Sequence, residues 1–484
     1  TKKKTSRCTT AVNPESAMSS ERVTIMRHAS TVMIGQLAVM AFSITDTLVA
    51  GHFADAALAG LAVASATYVT VHISLMGMLQ ALLPVWAELH GAQRHAEVGR
   101  SVRQALYLCA ITAGLGMWAL LCPGFLLNWT QVPTDLQAEV RDYLNIVAFG
   151  LPASLLFRMY STLNQSLGKP KLVTWVQVGA LVVKVPLSIA LVLGIPNVVP
   201  PLGLAGCAWA TLAVTLMMIS LALWLLRTQD FYKPYRIWAA MEKPHAATLL
   251  RFMRLGLPSG LAIGVEVTSF TLMSLFIARL GVVATASHQI VSNMTAVLYM
   301  IPLSLSIASS SRVSYWIGAG QIHRARQALR TGLSLVLLLS LSLASLMGWQ
   351  HQAIAAFYTQ SPEVAALAAT LLLWLMLYHV ADAVQVFCVF TLRCYGITVL
   401  PLITYTVLLW GLGLAGGYVV AYDVGFDASG LSWVMDWVMG WLTPQSPIAF
   451  WQTGSLALYV TTAVLLPVLW RAAYRPTQGT DTGH

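Results

Sequence analysis

The stretch GAQRHAEVGRSVRQAL, residues 91–106, is answered 227 residues later by GAGQIHRARQALRTGL, residues 318–333, and this pair decides the fold. Each copy follows a long apolar segment and precedes another, so each reads as a loop between two membrane spans. Both are rich in Arg, and basic loops stay on the cytoplasmic side of a membrane. The two halves of the chain therefore share one orientation and are related by an axis along the membrane normal, not by inversion.

Working outward from the pair, nearly charge-free stretches recur along the whole chain. They cover 55–88, 103–135, 142–169 (interrupted by Arg158), 171–227, 254–279 (interrupted by Glu266) and 279–312, then 330–363, 363–393 (interrupted by Asp382), 393–423 and 436–471. The stretch 171–227 is long enough for two spans, broken at GIPNVVPPLG, residues 194–203, and contains a single charge, Lys184. An apolar segment at 28–50 carries Asp46 and reads as an uncleaved first span. The total is about twelve spans of roughly 20 residues each.

Composition agrees. Of 484 residues, 57% are hydrophobic and 10% charged, and mean hydropathy is +0.71. A chain this apolar could not keep a solvated surface, which excludes a soluble enzyme and makes the bilayer its main solvent. The formal charge of +10 is then a matter of topology: basic residues cluster at 94–103, 169–171, 227–254, 312–330, 393 and 471–475, while alternate loops hold Asp55, Asp135, Glu139, Asp142, Glu363, Asp423 and Asp427. Both termini are expected in the cytoplasm of a bacterial inner-membrane protein. The excess is no nucleic-acid footprint. Six scattered cysteines with no CxxC pair suggest neither zinc nor disulfides.

The expected architecture is an all-α integral membrane protein with twelve transmembrane helices in two six-helix lobes related by a pseudo-two-fold axis. Its parts would be a cytoplasmic tail at 1–27, a first lobe at 28–228, a basic linker at 229–253, a second lobe at 254–473 and a short tail at 474–484. An external insertion at about 423–453 carries Trp433, Trp437 and Trp441 every four residues on one helical face. It reads as an interfacial helix anchored by indoles, with a ligand-binding cap as the alternative.

Charges inside spans are costly, and each is a functional candidate. Glu266 in span 7 and Asp382 in span 10 belong to the second half and suggest a shared site for a cation or protons, against the plainer reading of two carboxylates hydrogen-bonded for packing. Asp382 lies eleven residues before Arg393, about 16 Å of helix rise. Asp46 reads as interfacial or functional, and the long Lys184 side chain in span 5 can reach its depth, as a static clamp or as a switching pair. Arg158 in span 4 has no visible partner and reads as a snorkelling side chain. His72 and His379 read as bonded bundle histidines before proton relays, and Pro84, Pro186 and Pro302 as candidate kinks. There is no GxxxxGK[ST], HExxH or GxSxG, so neither direct ATP drive nor a recognisable active site is expected.

With these residues in view, the chain resembles multidrug and toxic compound extrusion transporters, closest to the NorM-like branch, over about 22–475. The matching segments are TDTLVAGHFADAALAGLAVA (45–64), GAQRHAEVGR (91–100), RLGLPSGLAIGVEVTSF (254–270), ASHQI (286–290) and LYHVADAVQVFCVFTLRCYG (377–396). The resemblance implies a first-lobe carboxylate at Asp46 and coupling-ion binding at Glu266 and Asp382, which would also be the ligands if sodium is the ion. Gln289 and Tyr299 are cavity candidates. Span 5 departs from the family, with Lys184 where many relatives have asparagine, and this favours ion binding at the second-lobe acids.

The expectation is an antiporter, not an enzyme, that exports amphipathic, mostly cationic small molecules in exchange for sodium ions or protons. It would use no cofactor, no nucleic acid and no obligatory protein partner, with the lipid bilayer as its surroundings. A lipid-intermediate flippase of the same superfamily is the alternative and would need a cavity lined by several Lys or Arg. A channel is a third reading, disfavoured by repeat-related spans with isolated acids.

Overall fold

A computed structural model describes residues 14–122, 124, 134–198, 200–422 and 443–475. The Trp-rich stretch 423–442 lies outside the described residues. Where no water can satisfy the backbone, each crossing segment must close its own hydrogen bonds, and the chain does so as helix throughout. Among the described residues, twelve helices are long and apolar enough to span: Ser20–Phe53, Ala57–Gly91, His95–Leu121, Gln137–Ser166, Pro170–Val192 and Leu204–Thr228 are spans 1 to 6. Ala246–Ala278, Val282–Gly318, Ile322–Tyr358, Pro362–Arg393, Val399–Tyr422 and Ile448–Tyr474 are spans 7 to 12.

Two ends run further than the sequence suggested. The first helix begins at Pro14, so residues 14–27, read as a tail, continue span 1. Span 7 begins at Ala246, inside the expected linker of 229–253. The remaining linker contains a short 3-10 helix, Asp230–Tyr235. It is fastened to the start of span 3: the buried Arg103 donates to Glu242 at 2.7 Å and to the Arg236 carbonyl at 2.6 Å, and Gln104 donates to the Lys243 carbonyl.

Not every proline bends its span. Span 2 breaks at Ala81–Leu82 and restarts as Leu83–Gly91 with Pro84 in the first turn, where a missing N–H costs nothing. Pro186 and Pro302 sit inside unbroken helices. Span 11 contains an unexpected π-helical segment, Thr406–Ala415. Such segments free backbone carbonyls, and here the Thr453 hydroxyl donates to the Gly413 carbonyl at 2.8 Å.

The repeat seen in sequence is a symmetry of the packing. Spans 1 to 6 pack among themselves, as do spans 7 to 12, and the halves meet chiefly through spans 1, 2, 7 and 8. Gly91 lies against the Tyr315 carbonyl and Gly318 against the Glu88 carbonyl, so both residues of each pair are displaced by the same 227 positions. A Cβ at either glycine would run into the partner's backbone. The turns that follow match as well: Gln93 and Gly320 both take left-handed backbone angles, φ 61° and 69°. Each half also lends the start of its first span to the other half's core, Ile25 to the second and Phe252 to the first.

These contacts gather at the end of the bundle that holds the basic loops. There the buried Glu21 carboxylate takes a bidentate bond from Arg312 of span 8, at 2.7 and 2.9 Å. Ser311 donates to the Gln165 carbonyl at 2.9 Å. Val32, Leu83, Ile307, Val386 and Phe390 form one apolar cluster across both halves.

Candidate functional site

Span 7 presents Glu266 to a cleft lined by Phe270, Tyr378, Gln385, Leu409, Gly413 and Phe450. The helix positions it through close packing: the stripe Gly256, Gly260 and Gly264 meets Ser74 and Met78 of span 2, and Trp410 of the π segment donates to the Val265 carbonyl at 3.1 Å. Among the described residues the Glu266 carboxylate has no hydrogen-bond or ion-pair partner, and it is partly exposed.

Asp382 approaches the same cleft from span 10 and is 4% exposed. It accepts one bond, from Gln385 Nε2 at 3.1 Å, and the amide oxygen of Gln385 is itself buried without a partner. The two acids lie within electrostatic reach of each other. Tyr299, Tyr378 and Tyr405, from spans 8, 10 and 11, are near both. Two carboxylates, an amide oxygen and phenol hydroxyls are thus gathered around the cleft, all of them oxygen donors.

The first half is arranged differently. Asp46 is 7% exposed, and Lys184 Nζ, fully buried, lies 2.8 Å from its Oδ1. The ammonium also donates to Thr211 Oγ1 at 2.7 Å and the Cys207 carbonyl at 3.5 Å. Ser188 donates to Asp46 Oδ1 and Thr211 to its Oδ2, at 3.1 and 3.3 Å. Every charge in this group is answered by a neighbour, so its lysine offers nothing to a passing anion.

The structure brings Glu266, Asp382 and Tyr299 together and pairs Asp46 with Lys184. Gln289 does not join either group; it is exposed on span 8 and bonds Asn293 at 3.2 Å. Arg158 is partly buried and has no partner among the described residues, while the His72 ring stacks on Tyr68 and lies 3.4 Å from the Ser154 hydroxyl. His379 is buried, with Nε2 unpartnered.

Sequence reasoning missed Arg393. Read there as a loop charge, it is the last residue of span 10, 4% exposed, with Glu266, Tyr299 and Tyr405 in its field. The available signal was the unbroken apolar run that leads into it. Ser188, Thr211, Tyr378 and Tyr405 had no signal, because isolated hydroxyls in apolar helices are too common to single out.

The geometry can be set beside known proteins. The family model MatE matches residues 32–190 and 258–419. A probable multidrug resistance protein NorM from Aromatoleum aromaticum is 35% identical over 460 residues, 95% of this chain and 96% of that protein. Multidrug resistance protein PmpM from Pseudomonas aeruginosa is 32% identical, covering 81% of this chain and 83% of its own length. Among solved structures, the Vibrio cholerae MATE transporter VcmN in its bent form superposes with a TM-score of 0.79 at 16% identity, over 95% of this chain and 98% of that one.

Proposed function

The chain belongs to the MatE family, and from that membership we propose that it is a multidrug efflux antiporter, exporting amphipathic, mostly cationic compounds in exchange for sodium ions or protons. It is a multi-pass membrane transporter and not an enzyme. The observation that carries the coupling proposal is the pair of second-half carboxylates, Glu266 open to an apolar cleft and Asp382 behind it. Ionised, they attract a cationic drug whose apolar body rests on Phe270, Leu409 and Phe450. A proton or sodium ion taken up there cancels that attraction, so ion and drug oppose each other's binding by linkage.

Alternating access then needs two packings of the halves. With the basic end placed in the cytoplasm by the positive-inside rule, closure there through Glu21–Arg312 and the Gly91–Gly318 crossing corresponds to an outward-facing state of a bacterial inner-membrane protein. The flippase alternative called for a cationic cavity, and Lys184 is engaged by Asp46.

The test is ethidium movement in proteoliposomes with a pH gradient and a sodium gradient imposed separately. Movement driven by either gradient establishes antiport and names the ion. No movement with either, in folded protein, overturns the proposal.

A further inference from the structure

Arg393 is the one buried guanidinium in the described residues whose three nitrogens all lack a hydrogen-bond partner. Its guanidinium stacks on the Phe390 ring, 4.4 Å from the centroid, and is 4% exposed. Leaving such a charge without partners costs several kcal/mol in a packed interior, and a cationic stack recovers only a small part. The acid in its field is Glu266, and Tyr299 and Tyr405 feel both Arg393 and the two acids.

The other half supplies a comparison. Spans 4 and 10 end in the same turn: the N–H of Gly168 donates to the Gln165 carbonyl, and that of Gly396 to the Arg393 carbonyl. The position of Arg393 is therefore held by a neutral Gln165 in the half where Lys184 already balances Asp46. A cation stands there only where two acids have no other.

We propose that Arg393 is the resident counter-cation of Glu266 at the Glu266–Asp382 cleft, held in the field of that carboxylate without bonding it, and that it limits the cleft to one exchangeable monovalent cation at a time. With both acids ionised, two negative charges and one positive leave a formal charge of −1, while Asp46 and Lys184 sum to zero. One monocationic drug, or one sodium ion or proton, then neutralises the membrane interior of the site. Exchange of one for the other moves no net charge. Arg393 is a positioning and specificity residue in this account, since it acts through the field at Glu266 and does not touch the cargo. The inference rests on the antiport reading above.

The experiment compares wild type, Arg393→Gln and Arg393→Lys with ethidium, a monocation. In detergent, the Gln variant is expected to bind ethidium on the order of tenfold more tightly, since a repelling charge within Coulomb range has gone, and the Lys variant to bind as wild type does. In proteoliposomes, wild-type exchange is expected to be indifferent to an imposed membrane potential, while the Gln variant becomes sensitive to it as a second cation enters. A folded Gln variant with wild-type affinity and no change in potential dependence overturns the proposal. Failure of the antiport reading looks different: neither gradient drives the wild type, and the detergent binding comparison still decides whether Arg393 sets the field. If the Gln variant does not fold, the same comparison is made with Arg393→Met, where unchanged affinity again overturns it.

Discussion

Glu266 and Lys184 meet the same cost, a charge inside the bilayer, in opposite ways. Lys184 is fully buried and donates to Asp46, Thr211 and the Cys207 carbonyl, whereas Glu266 faces a cleft with no hydrogen-bond or ion-pair partner among the described residues. An answered charge holds structure, and an open one can take cargo. Lys184→Met should therefore leave Asp46 unpaired and lose about 3–5 kcal/mol of stability, read as a lower unfolding midpoint in detergent. The double change Asp46→Asn with Lys184→Met should recover most of it. Glu266→Gln and Asp382→Asn should insert and fold normally yet lose ion-driven ethidium movement by roughly tenfold or more, the size of a typical coupling energy. A failure of Glu266→Gln to insert or fold would assign that carboxylate to packing instead.

At the scale of the element, spans 2 and 8 show how glycine controls approach. Gly91 and Gly318 let two helix backbones touch, Glu88 to Gly318 and Gly91 to Tyr315, and any side chain there must push the halves apart. Gly318→Ala should destabilise the closed basic end by about 1–3 kcal/mol, the usual cost of overpacking. Spin labels on the basic ends of spans 2 and 8 would read it as a longer or broader distance distribution; an unchanged distribution would show that the crossing is not tight in solution. The linker is a second such element. The Arg103 hydrogen bond holds the Glu242 carboxyl below its ordinary value of 4.5. Its contribution is thus complete above that value and is lost as pH falls through the lowered one. Proteolysis within residues 236–245 should be flat from neutral pH down to about 5, and rise only under more acid conditions.

Across the whole molecule, the basic end is a joint built twice. Ile25 packs into the second half's core and Phe252 into the first's, so neither half can rock without moving the start of its partner's first span. Glu21 and Arg312 add a charge-assisted clasp, with Trp316 donating to the same carboxylate at 3.4 Å and the Arg312 guanidinium stacked 5.0 Å from its ring. Glu21→Gln should weaken closure by about 1.5–3 kcal/mol, the range for hydrogen bonds to charged groups. In a background without native cysteines, Ser311→Cys should then react faster with a membrane-impermeant thiol reagent applied to the basic side. Equal rates with and without Glu21 would mean that the clasp does not govern access.

Most of the architecture was legible in residue order. Hydropathy fixes spans because the bilayer leaves a backbone only one local solution, and the 91–106 and 318–333 pair reveals the two-fold relation because duplicated helices keep their loop chemistry. The same penalty on buried charge singled out Asp46, Lys184, Glu266 and Asp382. The Asp46–Lys184 pair could be suggested from depth along the spans, and the structure forms it; the other contacts were not legible, since they depend on helix rotation, which hydropathy does not encode. Gln289 thus falls on an exposed face, Arg393 turns from a loop charge into a buried one, and Glu21, in a stretch read as tail, clasps span 8. The π segment of span 11 was equally hidden, because its contacts, Thr453 of span 12 donating to the Gly413 carbonyl and the Trp410 indole donating to the Val265 carbonyl of span 7, are tertiary and not set by any local residue pattern.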